Sequence, residues 1–161
     1  LQEQFVAGRV KKKYLALVRG YIDQEGTIDS SIKNDESGLY QAAQTKYSRL
    51  HLTEYERAVA PYSTARYSLV SLMPTTGRTH QLRKHMNKIS HPIIGDPKHG
   101  NRHHNHAFQD WFGNFNLFLH ANELCFEHPR TKETLAVKAP LPGFWQPIVE
   151  KLGFELTLEQ L

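Results

Sequence analysis

Cysteine is almost missing from this sequence. Cys125 is the single one in 161 residues, which excludes an internal disulfide framework and a multi-cysteine zinc site. It lies in the apolar run Leu124-Cys125-Phe126, so a buried core thiol is expected rather than a nucleophile, and a reducing cytoplasm is the natural compartment. Long hydrophobic runs are missing too: no stretch approaches the roughly 18 apolar residues that cross a bilayer, and no signal-peptide pattern opens the sequence. There is no Gly-x-Gly-x-x-Gly fingerprint and no phosphate-binding Gly-Lys-Ser/Thr loop, which argues against a nucleotide cofactor. Repeats, low-complexity tracts and Ser/Pro-rich linkers are absent as well. One domain is therefore expected over residues 1–161. The first residues, Leu1-Gln2-Glu3-Gln4-Phe5-Val6, lack an initiating Met and read as the end of a helix, so a truncated domain is expected.

With 39% hydrophobic and 22% charged residues, the composition is that of a globular protein rather than a disordered one. The formal charge of +4 is modest, but its placement is uneven. Between Thr75 and His106, six cations (Arg78, Arg83, Lys84, Lys88, Lys98 and Arg102) face one acid, Asp96. Seven of the ten histidines lie in the same window. Basic charge gathered in one stretch points to a surface that meets a polyanion; a solvated basic face is the plainer alternative.

Residue patterning predicts an α+β domain. Tyr14, Ala16 and Val18 alternate with Leu15, Leu17 and Arg19, as in a mostly buried strand. A return strand near residues 27–29 and a strong strand over residues 65–73 follow; residues 35–44 read as loop and residues 50–60 are ambiguous. A helix is expected from about Thr79 to Ile89, because Leu82, Met86 and Ile89 fall at i, i+4 and i+7. Residues 90–110 read as a long loop, rich in Pro, Gly, His and Asn. A bent strand over residues 117–126 should pair with residues 133–138, and a last helix should run from about Phe144 to Leu152. Ala16, Val18, Leu69, Leu82, Met86, Leu124, Phe126 and Val137 are the expected core.

The segment richest in chemistry is Thr76-Gly77-Arg78-Thr79-His80-Gln81-Leu82-Arg83-Lys84-His85. It runs from a strand through a Gly turn into a helix, whose first turn offers free N–H groups and a positive dipole end to phosphate. With Leu82 as zero, Arg83 lies at about +100°, on the margin of the apolar stripe, and Lys84 at about 200° faces outward. An arginine on that margin is partly desolvated and requires a carboxylate or phosphate partner.

Gly77-Arg78-Thr79-His80-Gln81-Leu82-Arg83-x-His85 resembles the signature block of the RluA-type pseudouridine synthases. Three further blocks stand in that family's order: Lys12-x-Tyr14-x-Ala16-x-Val18-x-Gly20, His91-Pro92-Ile93-Ile94-Gly95-Asp96, and Leu119-His120-Ala121 with Leu124-x-Phe126-x-His128-Pro129. The similarity spans roughly residues 11–152. It implies a truncated pseudouridine synthase fold, a largely antiparallel sheet flanked by helices with a basic RNA-binding cleft. It further implies isomerisation of a uridine in RNA without cofactor or metal, on a target that leaves the RNA stack. His91 to Gly100, with Asn105 beyond, is most similar to family members that modify a uridine near the T-arm of tRNA; sister enzymes acting on large-subunit ribosomal RNA share most of the blocks.

By that resemblance Arg83 would pair with the catalytic aspartate and hold it ionised. Tyr14 would lie against the uracil ring, where its hydroxyl could help remove the C5 proton. Stacking of this kind contributes about 1–3 kcal/mol per base. Arg78, His80, Lys84, Lys88, Lys98 and Arg102 are the expected RNA contacts. The family's aspartate stands in a His-Arg-Leu-Asp block ahead of the tyrosine strand. None of Asp23, Asp29, Asp35, Asp96 and Asp110 has that context, and the sequence is therefore expected to be the carboxy-terminal part of one catalytic domain. Asp96, in Gly95-Asp96-Pro97, reads as a turn residue. Two rivals compete with this reading. A metal-dependent hydrolase could use His99, His103, His104 and His106, but the tract reads as a flexible loop without a helical His-x-x-x-His pair. A non-catalytic RNA-binding module would share every basic feature.

Overall fold

The computed structural model describes residues 1–157. After a short helix α1 (Gln2–Val6), the described strands are β1 (Lys11–Arg19), β2 (Glu25–Asp29), β3 (Ile32–Lys33), β4 (Tyr40–Gln41), β5 (Gln44–Tyr55), β6 (Ala65–Pro74), β7 (Leu119–Glu127) and β8 (Thr134–Lys138). Helices α2 (Gln81–Lys88) and α3 (Arg102–Phe112) lie between β6 and β7, and α4 (Trp145–Lys151) closes the described order. Six strands form one sheet in the order β2-β5-β6-β1-β7-β8, with antiparallel neighbours throughout. The pair β3–β4 forms a separate ribbon.

The two central strands are buried on both faces, and their alternation sorts the core into two layers. Leu15, Leu17, Tyr67 and Leu69 point to the side where Phe108 of α3 and Trp145, Ile148 and Val149 of α4 pack with Phe118. Ala16, Val18, Val70 and Leu72 point to the opposite side, under Leu82 and Met86 of α2 and Ile93. Tyr14, half-buried, packs on this second side. The register of β1 against β7 slips there: Lys13 faces Glu123 while Tyr14 faces Ala121. The extra residue, Asn122, bulges β7 opposite Tyr14, and bulges of this kind re-aim neighbouring side chains.

Three expectations need correction. Residues 102–112 are helical, where a loop was expected. Asn101 caps α3 by accepting from the His104 backbone N–H, and His104 and Phe108 are buried on its inner face; tertiary burial of that stripe outweighs the poor local propensity. Val137 is exposed rather than core, because β8 is an edge strand with no layer over it; Leu124 and Phe126 on β7 are only half-buried for the same reason. Cys125 is likewise half-buried. The ambiguous residues 50–60 divide: β5 continues to Tyr55.

His104 gives the fold an acid-sensitive point. Its Nδ1 lies 2.8 Å from the Tyr67 hydroxyl, and burial pushes its pKa down to about 4. A histidine whose folded pKa lies below 6.5 takes its proton first in the unfolded chain, so its contribution to stability is complete above about pH 6.5 and is lost as pH falls toward 4. The loss approaches about 3 kcal/mol at most. Thermal melts between pH 7 and 4.5 should show a falling midpoint. His104→Asn, which keeps an acceptor near Nδ1 but cannot titrate, should flatten that slope while lowering stability at pH 7. An unchanged slope would remove His104 from this role.

Candidate functional site

The turn from β6 into α2 is held by a residue that sequence reasoning passed over. Gln81 is buried. Its Oε1 accepts from Thr76 Oγ1 at 2.7 Å and from the Arg78 backbone N–H at 3.0 Å, and its Nε2 donates to Gln44 O and Thr45 Oγ1. Thr45 Oγ1 also meets His85 Nδ1 at 2.8 Å, and His85 Nε2 lies 2.8 Å from Ser30 O. Since a carbonyl only accepts, Nε2 carries the proton and Nδ1 accepts from Thr45. Burial lowers the His85 pKa, which favours this neutral tautomer. This chain of bonds fixes the Gly77–His80 turn against β5.

His80 stands at φ 54 with no side-chain cap, which is why the helix begins at Gln81 rather than Thr79. A non-glycine residue in this left-handed region carries local strain of the kind that gathers at functional sites. Its ring meets His99 edge-on at 5.5 Å. Burial, with Arg83, Lys98 and Lys84 nearby, lowers its pKa.

Arg83 behaves as its place on the stripe margin predicts. It has a carboxylate partner, and the partner is Asp96. Nε donates to Oδ2 and Nη2 to Oδ1, each at 2.7 Å. The Asp96 side chain is 0% exposed and that of Arg83 16%. Asp96 Oδ1 also accepts the backbone N–H groups of Lys98 and His99. The turn-residue reading of Asp96 is therefore correct and incomplete. Burial raises the Asp96 pKa, but the Arg83 and backbone hydrogen bonds outweigh it and the net shift is downward. Enclosed in this way, Asp96 has no access to a substrate.

The expected RNA contacts differ in their freedom. Of the two readings open to an outward Lys84, a solvated or a backbone-contacting cation, the structure shows the second, with an ion pair added. Its Nζ bonds Asp35 at 2.9 Å and Lys33 O at 3.0 Å, and only 16% of the side chain is exposed. The β3–β4 ribbon folds over the outer face of α2, a long-range contact that no helical wheel contains. Asp35 also binds Lys98 at 3.0 Å, and these two lysines draw its pKa down to about 2. Lys88 Nζ donates to Ser30 Oγ, and Arg78 Nε to Ala42 O at 3.0 Å. Arg102 is exposed at the start of α3. Arg78 lines a cleft of about 570 Å³ with Phe5, Val10, Lys12, Thr76 and Gly77. Lys12 precedes Tyr14 by two residues on β1, and its Nζ sits 3.3 Å from where a Gly77 Cβ would stand. The histidine tract does not converge: His104 turns inward to Tyr67, while His103 and His106 are exposed. Among the described residues, no group of three His, Cys, Asp or Glu side chains is placed to hold a metal ion, and no helix is long and apolar enough to cross a membrane.

The profile of a family described as RNA pseudouridylate synthase matches residues 1–88. The tRNA pseudouridine synthase C of Haemophilus ducreyi is 41% identical over 166 residues, covering 98% of this chain and 68% of that protein. That of Haemophilus influenzae is 41% identical over 163 residues, covering 95% and 68%. Among solved structures, human RNA Pseudouridylate Synthase Domain Containing 1 aligns with a TM-score of 0.67 at 27% identity, over 94% of this chain and 69% of that one. Human RNA Pseudouridylate Synthase Domain Containing 4 shares the fold, with a TM-score of 0.72 at 24% identity over 96% and 67%. The strand-borne tyrosine, the Gly-turn helix with its buried arginine pair, and these likenesses agree: the chain belongs to the RNA pseudouridylate synthase family.

Proposed function

We propose that the substrate is tRNA, with one uridine near the T-arm as the target, and that residues 1–161 form the carboxy-terminal part of a single catalytic domain working in the cytoplasm. The reaction is an isomerisation in which the C1′–N1 bond of uridine breaks, the base turns, C1′–C5 forms, the C5 proton leaves and N1 ends protonated. It calls for no cofactor. The observation that carries the reading is Arg83, whose guanidinium is fixed by two bonds to a buried carboxylate and whose helix packs over the sheet face where Tyr14 lies. Arginine has five N–H donors; those left free by Asp96 orient and keep ionised the reacting aspartate of the family, a residue matched by none of the five aspartates here. Tyr14 supports the uracil ring. The names of the relatives favour tRNA over ribosomal RNA.

Arg78, Lys88 and Arg102 contact phosphates, joined by Lys84 and Lys98 when RNA displaces Asp35. Phosphate neutralisation releases counterions, so affinity falls with salt. Labelled tRNA titrated at about 50 and 200 mM salt should bind at least tenfold more weakly at the higher concentration. Asp35→Asn should bind more tightly at low salt, with a slope steeper by about one to two contacts. Equal wild-type affinity at both concentrations would remove the basic window as the RNA footprint.

A further inference from the structure

The loop 95–100 is built more firmly than a surface connection requires. Asn105 of α3 grips it from both sides of Asp96, accepting the Gly95 N–H at Oδ1 and donating from Nδ2 to the Asp96 carbonyl, each at 2.8 Å. The Gly100 N–H returns to the same carbonyl at 3.1 Å. The Asp96 carboxylate inside this frame has four donors: Arg83 Nε and Nη2, and the backbone N–H groups of Lys98 and His99.

A charge needed only for folding could be met by one bond, and a buried ion pair is seldom more stabilising than an apolar pair of the same size. What a two-bond pair supplies is a fixed guanidinium plane. Here Nε and Nη2 are committed inward, so Nη1 is the nitrogen without an Asp96 bond. We propose that Asp96 is a positioning residue for the reaction, acting through Arg83 by locking the guanidinium so that its Nη1 edge is presented to the reacting aspartate and nucleotide. Asn105 and the loop it grips form the rigid mount. The inference rests on the role of Arg83 proposed above.

The test is Asp96→Asn in the intact enzyme. Asparagine keeps the shape and one acceptor but turns an N–H₂ toward a guanidinium donor, so the plane is released. We expect kcat to fall at least about tenfold with KM for tRNA changed less than about threefold, after correction for the folded fraction measured by thermal melt. The double variant Arg83→Lys/Asp96→Asn should be no slower than Arg83→Lys alone, because both changes break one unit. Should Asp96→Asn fail to fold, Asn105→Ala loosens the mount with the ion pair retained, and a smaller loss in kcat at unchanged KM is expected. A wild type that forms no pseudouridine would sink the functional reading itself. Unchanged kcat in the folded variant, or losses that multiply in the double variant, would overturn the positioning role while leaving that reading intact.

Discussion

Arg83→Lys should abolish most pseudouridine formation by the intact enzyme, on the order of a hundredfold or more, while tRNA affinity changes little. Lysine keeps the charge, and it can still form an ion pair with Asp96. It has no planar fork, so it cannot bind both Asp96 oxygens and still present a second donor edge. A carboxylate without an oriented cation tends to protonate, and a protonated acid is a poor nucleophile. Loss of about 3 kcal/mol of transition-state stabilisation corresponds to the stated factor. Binding should persist because the phosphate contacts proposed for Arg78, Lys88 and Arg102 are unchanged in the variant. Parallel measurement of turnover and tRNA affinity decides the matter. Near-normal turnover, or failure confined to binding, would end the proposed role.

Gly95→Ala should cost about 3 kcal/mol or more of stability. Gly95 has φ +80, and an added Cβ would stand 2.0 Å from the Asn116 carbonyl oxygen and 2.8 Å from its carbon. Both are backbone atoms of the segment entering β7, so neither can rotate aside. Strain at positive φ and displacement of the backbone therefore add. Gly113 provides the control. It has φ +64 at the end of α3, with nothing within 4 Å of where a methyl group would stand, so Gly113→Ala should cost only about 1 kcal/mol. Urea denaturation of both variants measures the difference. Equal midpoints would contradict the close approach that anchors the Asp96 loop.

Where the pattern was local, it could be read from the residues. Alternation in β1 and β6 sorts side chains between two layers, and the Leu82–Met86 stripe of α2 is buried against one; period alone reveals such faces. The angle of Arg83 on the helix likewise predicted a carboxylate or phosphate partner, and the structure supplies a carboxylate. Its identity lay 13 residues away, in a turn whose composition gave no sign of burial. Helix α3 escaped notice although Asn101 and Gly113 stand at its two ends as cap residues; its His- and Asn-rich face obscured the buried spacing of His104 and Phe108. The ion pair of Lys84 was out of reach for a different reason. Its outward angle is right, but the β3–β4 ribbon, distant in sequence, covers that face and supplies Asp35. Gln81 could have been suspected only as a buried amide beside a turn, which a helical wheel places but does not explain.

Mapping pseudouridines in tRNA and large-subunit ribosomal RNA tests the central claim most directly. The RNA should come from cells lacking this gene, before and after wild-type or Arg83→Lys protein is restored. One tRNA uridine near the T-arm should go unmodified in the deletion, regain pseudouridine with wild type, and stay largely unmodified with Arg83→Lys. Full modification of every tRNA and ribosomal site in the deletion strain, or restoration by Arg83→Lys as complete as by wild type, would contradict the account.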